Sequence, residues 1–495
     1  MKKMKKNFIF LYLVATSVML VAPGCKKGYF DINTNPNSPT EVPARFLLSS
    51  ALVNSARQME AGNLNFANYW MGYWCPSGDF IPDNNLLTYN VTTDFQTGNW
   101  SGNYITLRNY KDMITQGSAD PKLVYYKAIG RVMWAFHFAH IVDLYNNAIY
   151  SEYGIPETTL FPKYDNGSDI YVDLLSQLDG AIADIAGASP EAENPGDFDV
   201  MFGGEMQEWQ QLANNLKVKL LLHLSNNTSL ASIVSAGFAG IDQSIGFFTG
   251  NAKINPGFSN ASDANQNPKW ASNGFEVNGA ERQGYRFNRA CKFAVDYMKN
   301  NGDDRLSFFY KPNSEAEVKG RVFGSSATAG LEGNSFISAI GSGVLKSVSQ
   351  DAYIMPSYQI HFLLAEAYQR GFLTGDAKAT YEGGVQASFD LLGAGSAFSI
   401  LNGGYATWDN ANDPLELIYL QGWVAANGID PLESYTTWRR TGYPEDLPVS
   451  IYPGVNATHI PYRLAYPTAE YSFNAASVNA QGTIEPLNSK IFWMP

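Results

Sequence analysis

Charge is scarce in this 495-residue chain: Asp, Glu, Lys and Arg make up 16% of it, with 46 acidic residues against 34 basic ones. Four of the lysines sit at positions 2, 3, 5 and 6, so the net charge of −12 becomes −16 without them. This balance argues against nucleic acid, whose binding draws on clustered cations that displace condensed counterions. Cysteine is also rare. Cys25, Cys75 and Cys291 are too few for a disulfide framework, and a Cys75–Cys291 bridge and two free thiols are both open. Beyond the N-terminus no apolar run reaches the roughly 20 residues that a membrane-spanning helix needs. The patterns Gly-x-Ser-x-Gly, His-Glu-x-x-His and the phosphate loop are absent as well.

What the chain does have begins at its first residues. A basic Met1-Lys-Lys-Met-Lys-Lys6 precedes an apolar run from Asn7 to Val21, which ends at Ala22-Pro23-Gly24-Cys25. Basic, apolar and small residues in that order form a secretory signal. A cysteine directly after the small residues is similar to the lipobox of bacterial lipoproteins, although Pro23 is an unusual neighbour for the cut. Residues 1–24 are therefore expected to be a signal peptide and Cys25 a lipid-attachment site; an ordinary signal peptide of a secreted protein is the alternative. One acyl chain holds a membrane only marginally, at about 0.8 kcal/mol per buried methylene, whereas several chains anchor durably.

Residues 25–495 are long enough for a full core and are expected to form a single domain. Ile170, Leu174, Leu178, Ile182 and Ile185 recur at helical spacing behind Asn166-Gly167-Ser168, with Ser168 as an N-cap candidate. Trp209, Leu212, Leu216 and Leu220 form a second stripe. Further helical patterns run near 45–60, 102–117, 122–146, 285–300, 356–371, 376–391 and 413–427. Long Gly/Asn/Pro/Ser-rich stretches at 76–99, 228–283 and 311–350 lie between them, and the βα alternation of a doubly wound sheet is missing. His361, Leu364, Ala365, Tyr368, Ala377 and Tyr381, with Gly384, match one tetratricopeptide unit, without a clear 34-residue repeat.

Motifs across nearly the whole chain resemble the SusD/RagB family of outer-membrane nutrient-binding lipoproteins, particularly its SusD-like branch. They include Phe30-Asp-Ile-Asn-Thr-Asn-Pro-Asn-Ser-Pro39, Phe161-Pro-Lys-Tyr-Asp165 with Ile170-Tyr171, Trp209 to Lys217, and Asp304-Arg305-Leu306. More specific are Leu364 to Gly371, Tyr381 to Ser388, Trp438-Arg-Arg-Thr-Gly-Tyr-Pro444, and Pro461-Tyr-Arg-Leu-Ala-Tyr-Pro467 with Glu470. The resemblance implies an all-α fold, in which tetratricopeptide-like helix pairs form a right-handed superhelical scaffold and irregular loops build a shallow ligand site. It also implies an outer-membrane location facing the cell exterior and a SusC-like TonB-dependent transporter as partner. Two departures stand out. Asp143-Leu-Tyr-Asn-Asn-Ala-Ile-Tyr150 lacks the Gly-Asp-Ile-Pro common in relatives, so its turn is expected to differ; Lys26 and Lys27 replace an acidic export signal.

Other motifs have plainer readings. Asp31, Asn33 and Asn35 are spaced like a calcium loop, but Pro36 and Val42 stand where Gly and a bidentate Glu belong, so no metal is expected. His137, His140 and Asp143 share a helix face without a further ligand and read as core. Arg439 and Arg440 could clamp an anion, yet packing explains them as well. Asp165, Glu366 and Glu416 are each accounted for by a turn or a helix face, which leaves no carboxylate pair to cleave a glycosidic bond. No cofactor is expected.

The aromatic loops carry the functional expectation. Asn68 to Phe80 displays Trp70, Tyr73, Trp74 and Phe80 among Gly, Pro and polar residues; Trp100 and Tyr104 follow, and Trp270 lies in another loop. Flat rings cover the apolar C–H face of a sugar while polar side chains bind its hydroxyl rim. At about 1 kcal/mol per platform, a few rings give roughly micromolar to millimolar binding. These seven residues are the expected site of a non-catalytic oligosaccharide-binding protein. A peptide-binding member of the same family and an all-helical glycoside hydrolase are the alternatives.

Overall fold

Nine helices of eleven residues or more carry the described part of the chain, which in this computed structural model comprises residues 42–80, 84–155, 159–326 and 332–495. Cys25, the signal segment, the 30–39 stretch and the calcium-like spacing lie outside it. The helices are α1 (Ala44–Glu60), α2 (Gly98–Ala119), α3 (Val124–Tyr145), α4 (Gly167–Ala186), α5 (Met206–Leu224), α6 (Ser357–Gln369), α7 (Ala377–Leu392), α8 (Pro414–Ala426) and α9 (Pro431–Thr441). The fold is all-helical with tetratricopeptide-like pairs, as the resemblance implies.

Local chemistry sets several boundaries. Asp376, Asp413 and Asp430 cap α7, α8 and α9, each accepting from a backbone N–H of the first turn. Pro414 and Pro431 follow two of these caps, where a missing N–H costs nothing. Gly393 and Gly442 end α7 and α9 in the left-handed conformation, with φ of 74° and 85°. Helix α4 starts two residues earlier than its N-cap candidate implied, with Asn166 at the N-cap position, so Ser168 lies inside the first turn. Its stripe is as expected: Ile170, Leu174 and Leu178 are buried, and Ile182 and Ile185 are half-buried.

Successive helices pack on one another: α1 on α2, α2 on α3, α3 on α4, α4 on α5, and α6 on α7. The α6–α7 pair is the unit that matched the tetratricopeptide spacing. Gly384 allows its close approach, since a Cβ there would lie 3.0 Å from the Cβ of His361. Tyr381 is fully buried and donates to the Ala406 carbonyl over 2.8 Å.

The expected long loops hold short elements. Helices Asn84–Thr88 and Ala231–Ala239 lie in two of them, and small antiparallel sheets tie the rest down. The strands are β1 (Trp74–Pro76), β2 (Ala252–Ile254), β3 (Asn288–Ala290), β4 (Tyr310–Lys311), β5 (Ala339–Ile340) and β6 (Ala352–Met355). They pair in the order β1-β3-β5-β4, with β2 on β6. One expectation is corrected here: the continuous helix near 285–300 is broken into Gln283–Phe287, β3 and Lys292–Asn300. Pairing of Trp74 with Ala290 and of Arg289 with Ala339 recruits the backbone of 288–290, which side-chain periodicity does not register. Cys75 and Cys291 meet this sheet as buried free thiols, the first donating to the Arg321 carbonyl over 3.2 Å.

A chain of buried charges crosses the helix stack. Asp143 of α3 accepts from the Tyr171 hydroxyl of α4 and, over 2.9 Å, from the Trp493 indole near the C-terminus. His223 of α5 faces Asp143 at 3.5 Å and Glu433 of α9 at 3.2 Å, and Lys219 lies 2.7 Å from Glu433. Burial alone would lower the pKa of His223, but Glu433 and Asp143 outweigh it and raise the value. Burial likewise opposes ionisation of Asp143 and Glu433; His223 and, for Glu433, Lys219 overcome it and hold both carboxyls below their usual range.

The signs of these shifts set a pH window. The stabilisation from His223 is complete below its unfolded pKa of about 6.5 and disappears as pH rises through its higher folded value. That from Asp143 and Glu433 is complete above roughly pH 4–5 and disappears as pH falls through their lowered values. The stability difference between the wild type and His223→Gln is therefore expected to shrink from pH 6 to pH 9 in urea unfolding. Parallel curves for the two proteins would remove His223 from this role.

Candidate functional site

Between α2, the loop after α3 and the short helix Thr468–Phe473 lies a cleft of about 750 Å³. A second cavity, between α6, α8 and α9, measures about 50 Å³, roughly a third of the 150 Å³ that admits benzene, and is too small for a sugar ring.

Helix α2 supplies one wall. Trp100, Tyr104, Arg108 and Lys111 line the cleft at successive helical turns, because residues three and four apart share a face. The Tyr104 hydroxyl donates to the Ile149 carbonyl over 3.0 Å and accepts from the Ile149 N–H over 2.9 Å, which fixes the ring against the opposite loop. Arg108 is exposed and makes no hydrogen bond or ion pair with the other described residues.

The loop forms the second wall through Ile149, Glu152, Tyr153 and Pro162. It departs from α3 at Asn146, whose φ of 70° is rare for a non-glycine residue and turns the chain sharply. The Asn146 side chain accepts from the Phe492 N–H over 2.6 Å, and that of Asn147 from the Gly167 N–H over 3.0 Å. Asp165 then accepts from the backbone of Tyr150 and Ser151, so this carboxylate braces the loop. Tyr153 donates to the Tyr104 carbonyl, and its own carbonyl accepts from the Lys111 amine. Glu470 of the short helix closes the site beside Trp100.

Of the seven residues expected to bind ligand, Trp100 and Tyr104 converge on this cleft. Trp100 is 5% exposed and serves mainly as a base: it stacks on Tyr164 at 5.8 Å and meets Tyr104 edge-on at 5.0 Å. Trp70, Tyr73 and Trp74 are corrected to core residues, with exposures of 0%, 0% and 1%. Trp70 stacks on Phe95 at 5.8 Å, the Tyr73 hydroxyl is held by the Trp423 carbonyl and Ser434, and Trp74 belongs to β1. None has a ring face free for a sugar; a polar, glycine-rich stretch folds inward because the helix Asn65–Trp70 and β1 are both covered by later parts of the chain. Phe80 lies half-buried against Phe287, and Trp270 half-buried against Phe275, both outside the cleft.

Tyr153, Arg108, Lys111, Glu152 and Glu470 were not singled out from the sequence as ligand contacts. The sequence signal for Arg108 and Lys111 is the 100, 104, 108, 111 spacing, which puts them on the same face of α2 as Trp100 and Tyr104. Contacts from the loop and from Thr468–Phe473 had no comparable signal, because they meet α2 only in the folded chain.

The remaining candidates are structural. His137 is held between Ser55 and Asn103, each at 2.7 Å. Burial pushes its pKa well down and brings that of His140 to about 3, Lys219 also contributing to the latter. No group of three or more His, Cys, Asp or Glu suited to a metal occurs among the described residues. Arg440 grips Glu366 with both guanidinium arms, the longer bond being 2.7 Å, while Arg439 stacks on Tyr435 at 4.0 Å. No helix among the described residues is long and apolar enough to cross a membrane.

Because Trp70 is a core side chain, Trp70→Ala is expected to lower stability by about 3–5 kcal/mol in urea unfolding. An unchanged midpoint would return this ring to the surface.

Solved structures place the fold among known ones. A chitin-binding SusD homolog from Flavobacterium johnsoniae is 20% identical, with a TM-score of 0.75 over 90% of this chain and 98% of that one. Another chitin-binding protein is 22% identical, with a TM-score of 0.73 over 92% of this chain and all of the other. A SusD homolog from Bacteroides fragilis is 18% identical, with a TM-score of 0.72 over 92% of this chain and all of its own. No curated protein matches the sequence. The family described as starch-binding and associating with the outer membrane matches residues 36–467, and with that span and this architecture the chain belongs to the SusD-like family.

Proposed function

We propose that this protein is a non-catalytic lipoprotein, anchored at the outer membrane through Cys25 and facing outward. In this reading, residues 25–495 form a single domain that captures oligosaccharide in the α2 cleft and passes it to a SusC-like TonB-dependent transporter. The observation that carries the reading is the cleft itself. At about 750 Å³ it falls within the range of small-ligand sites, and it pairs the aromatic faces of Tyr104 and Tyr153 with Arg108, Lys111, Asp112 and Glu152 at its edge. A sugar offers the complement, an apolar ring face with a hydroxyl rim.

Two features support binding without bond cleavage. Both carboxylate oxygens of Glu470 already accept hydrogen bonds from aromatic side chains, and Glu152 accepts from the Lys163 N–H at one oxygen, which ties both side chains to the walls of the cleft. Relatives with this fold are described as chitin-binding, which makes chito-oligosaccharides the first ligands to try.

Calorimetric titration with chito-, malto- and other oligosaccharides, and with peptides, tests the reading. Tyr104→Ala and Arg108→Ala are each expected to weaken oligosaccharide binding about fivefold or more, at roughly 1 kcal/mol per contact. Phe398→Ala, an exposed ring outside the cleft lining, should leave binding unchanged. Binding of peptides alone, or release of shortened sugars on incubation, would overturn the proposal. For the anchor, Cys25→Ser is expected to abolish incorporation of labelled fatty acid; labelling that persists would place the lipid elsewhere.

A further inference from the structure

Among the described residues of the cleft, Glu470 has its carboxylate spent on the rings around it. Its Oε1 accepts from the Trp100 indole N–H over 3.1 Å and its Oε2 from the Tyr164 hydroxyl over 2.8 Å. Trp100 and Tyr164 stack on each other at 5.8 Å, with their planes 22° apart, so one carboxylate clamps a stacked pair by both polar edges. Trp100 in turn carries Tyr104 edge-on, and Tyr104 lines the cleft.

The clamp has its own support. Thr468, two residues before Glu470, bonds to Thr93 through the backbone over 3.0 Å and to Asp94 through its hydroxyl over 2.8 Å. Asn474, four residues after it, donates to the Pro162 carbonyl over 2.8 Å. The short helix is thereby fixed to the segment before α2 and to the loop wall, which gives the carboxylate a defined position.

We infer that Glu470 is a positioning residue, which sets ligand affinity by holding Trp100, and through it Tyr104, in the orientation that presents a flat aromatic face to the cleft. This rests on the glycan reading above. An indole N–H and a phenol hydroxyl left without an acceptor in a largely buried aromatic cluster would seek other partners, and the ring pair would rotate. A pre-ordered platform avoids the cost of fixing those side chains at the moment of binding.

The test compares Glu470→Ala, Glu470→Gln and the wild type as full mature proteins. It reads two quantities: affinity for the oligosaccharide that the wild type binds best, and solvent exchange of the Trp100 indole N–H by NMR, assigned with Trp100→Phe. Glu470→Ala is expected to free the indole N–H to exchange and to weaken binding about tenfold, the scale of a lost hydrogen bond to a charged group. Glu470→Gln keeps an acceptor for the indole and an amide for the Tyr164 oxygen, and is expected to stay within about twofold of wild type.

Protection of the indole N–H in Glu470→Ala would overturn the inference. So would an equal loss of affinity in Glu470→Gln, which would mean that the charge itself meets the ligand, or an unchanged affinity once the indole is free. A wild type that binds no oligosaccharide would overturn the glycan reading and this inference's claim on affinity. The indole signal would then decide separately whether Glu470 holds the ring.

Discussion

The buried chain of charges from Asp143 through His223 to Glu433 and Lys219 is the constraint on which the rest of the fold depends. Its members come from α3, α5 and α9, with Tyr171 of α4 and Trp493 near the C-terminus attached at Asp143. Desolvating four ionisable groups is costly, and the arrangement is tolerable only because each has a partner of opposite charge or a hydrogen-bonding neighbour. Removing one member strands the others, at about 3–5 kcal/mol for a buried pair. The registry of four helices and the C-terminal tail is thus fixed by a requirement that apolar packing alone would not impose.

From this chain of charges the order passes to the cleft along α3. Two residues beyond Asp143, Tyr145 packs edge-on against Trp100 at 5.0 Å and offers its carbonyl to Arg463 and to the Tyr466 hydroxyl. Asn146 then turns the chain into the loop wall. The cleft is accordingly built where three separately fixed elements meet, so its rings are held before any ligand arrives. Pre-organisation of this sort favours binding by reducing the side-chain freedom lost on association.

The helix scaffold was largely legible in the sequence because it is written locally. Apolar spacing placed α1, α3, α6, α7 and α8 to within a few residues, and the Asp-Pro pairs at 413–414 and 430–431 mark helix starts by capping chemistry. The segment at 285–300 defeated the same approach: its spacing is helical, but the pairing that pulls 288–290 into a strand comes from residues 74–76, more than two hundred positions away, and from Ala339, fifty positions on.

For the site, the chemistry of the residue types was readable and their placement was not. An aromatic-rich, charge-poor chain with motifs similar to the SusD-like family determined by itself that the fold would be helical and that rings would be the candidate ligand surface. Only the tertiary structure decided which rings. Trp70, Tyr73 and Trp74 look in sequence like a displayed aromatic loop, yet later segments cover them, while Trp100 and Tyr104 reach a cleft completed by Tyr153 and Glu470. The physical reason is that helical periodicity and capping depend on neighbours within a few residues, whereas exposure of a ring depends on what the rest of the chain packs against it.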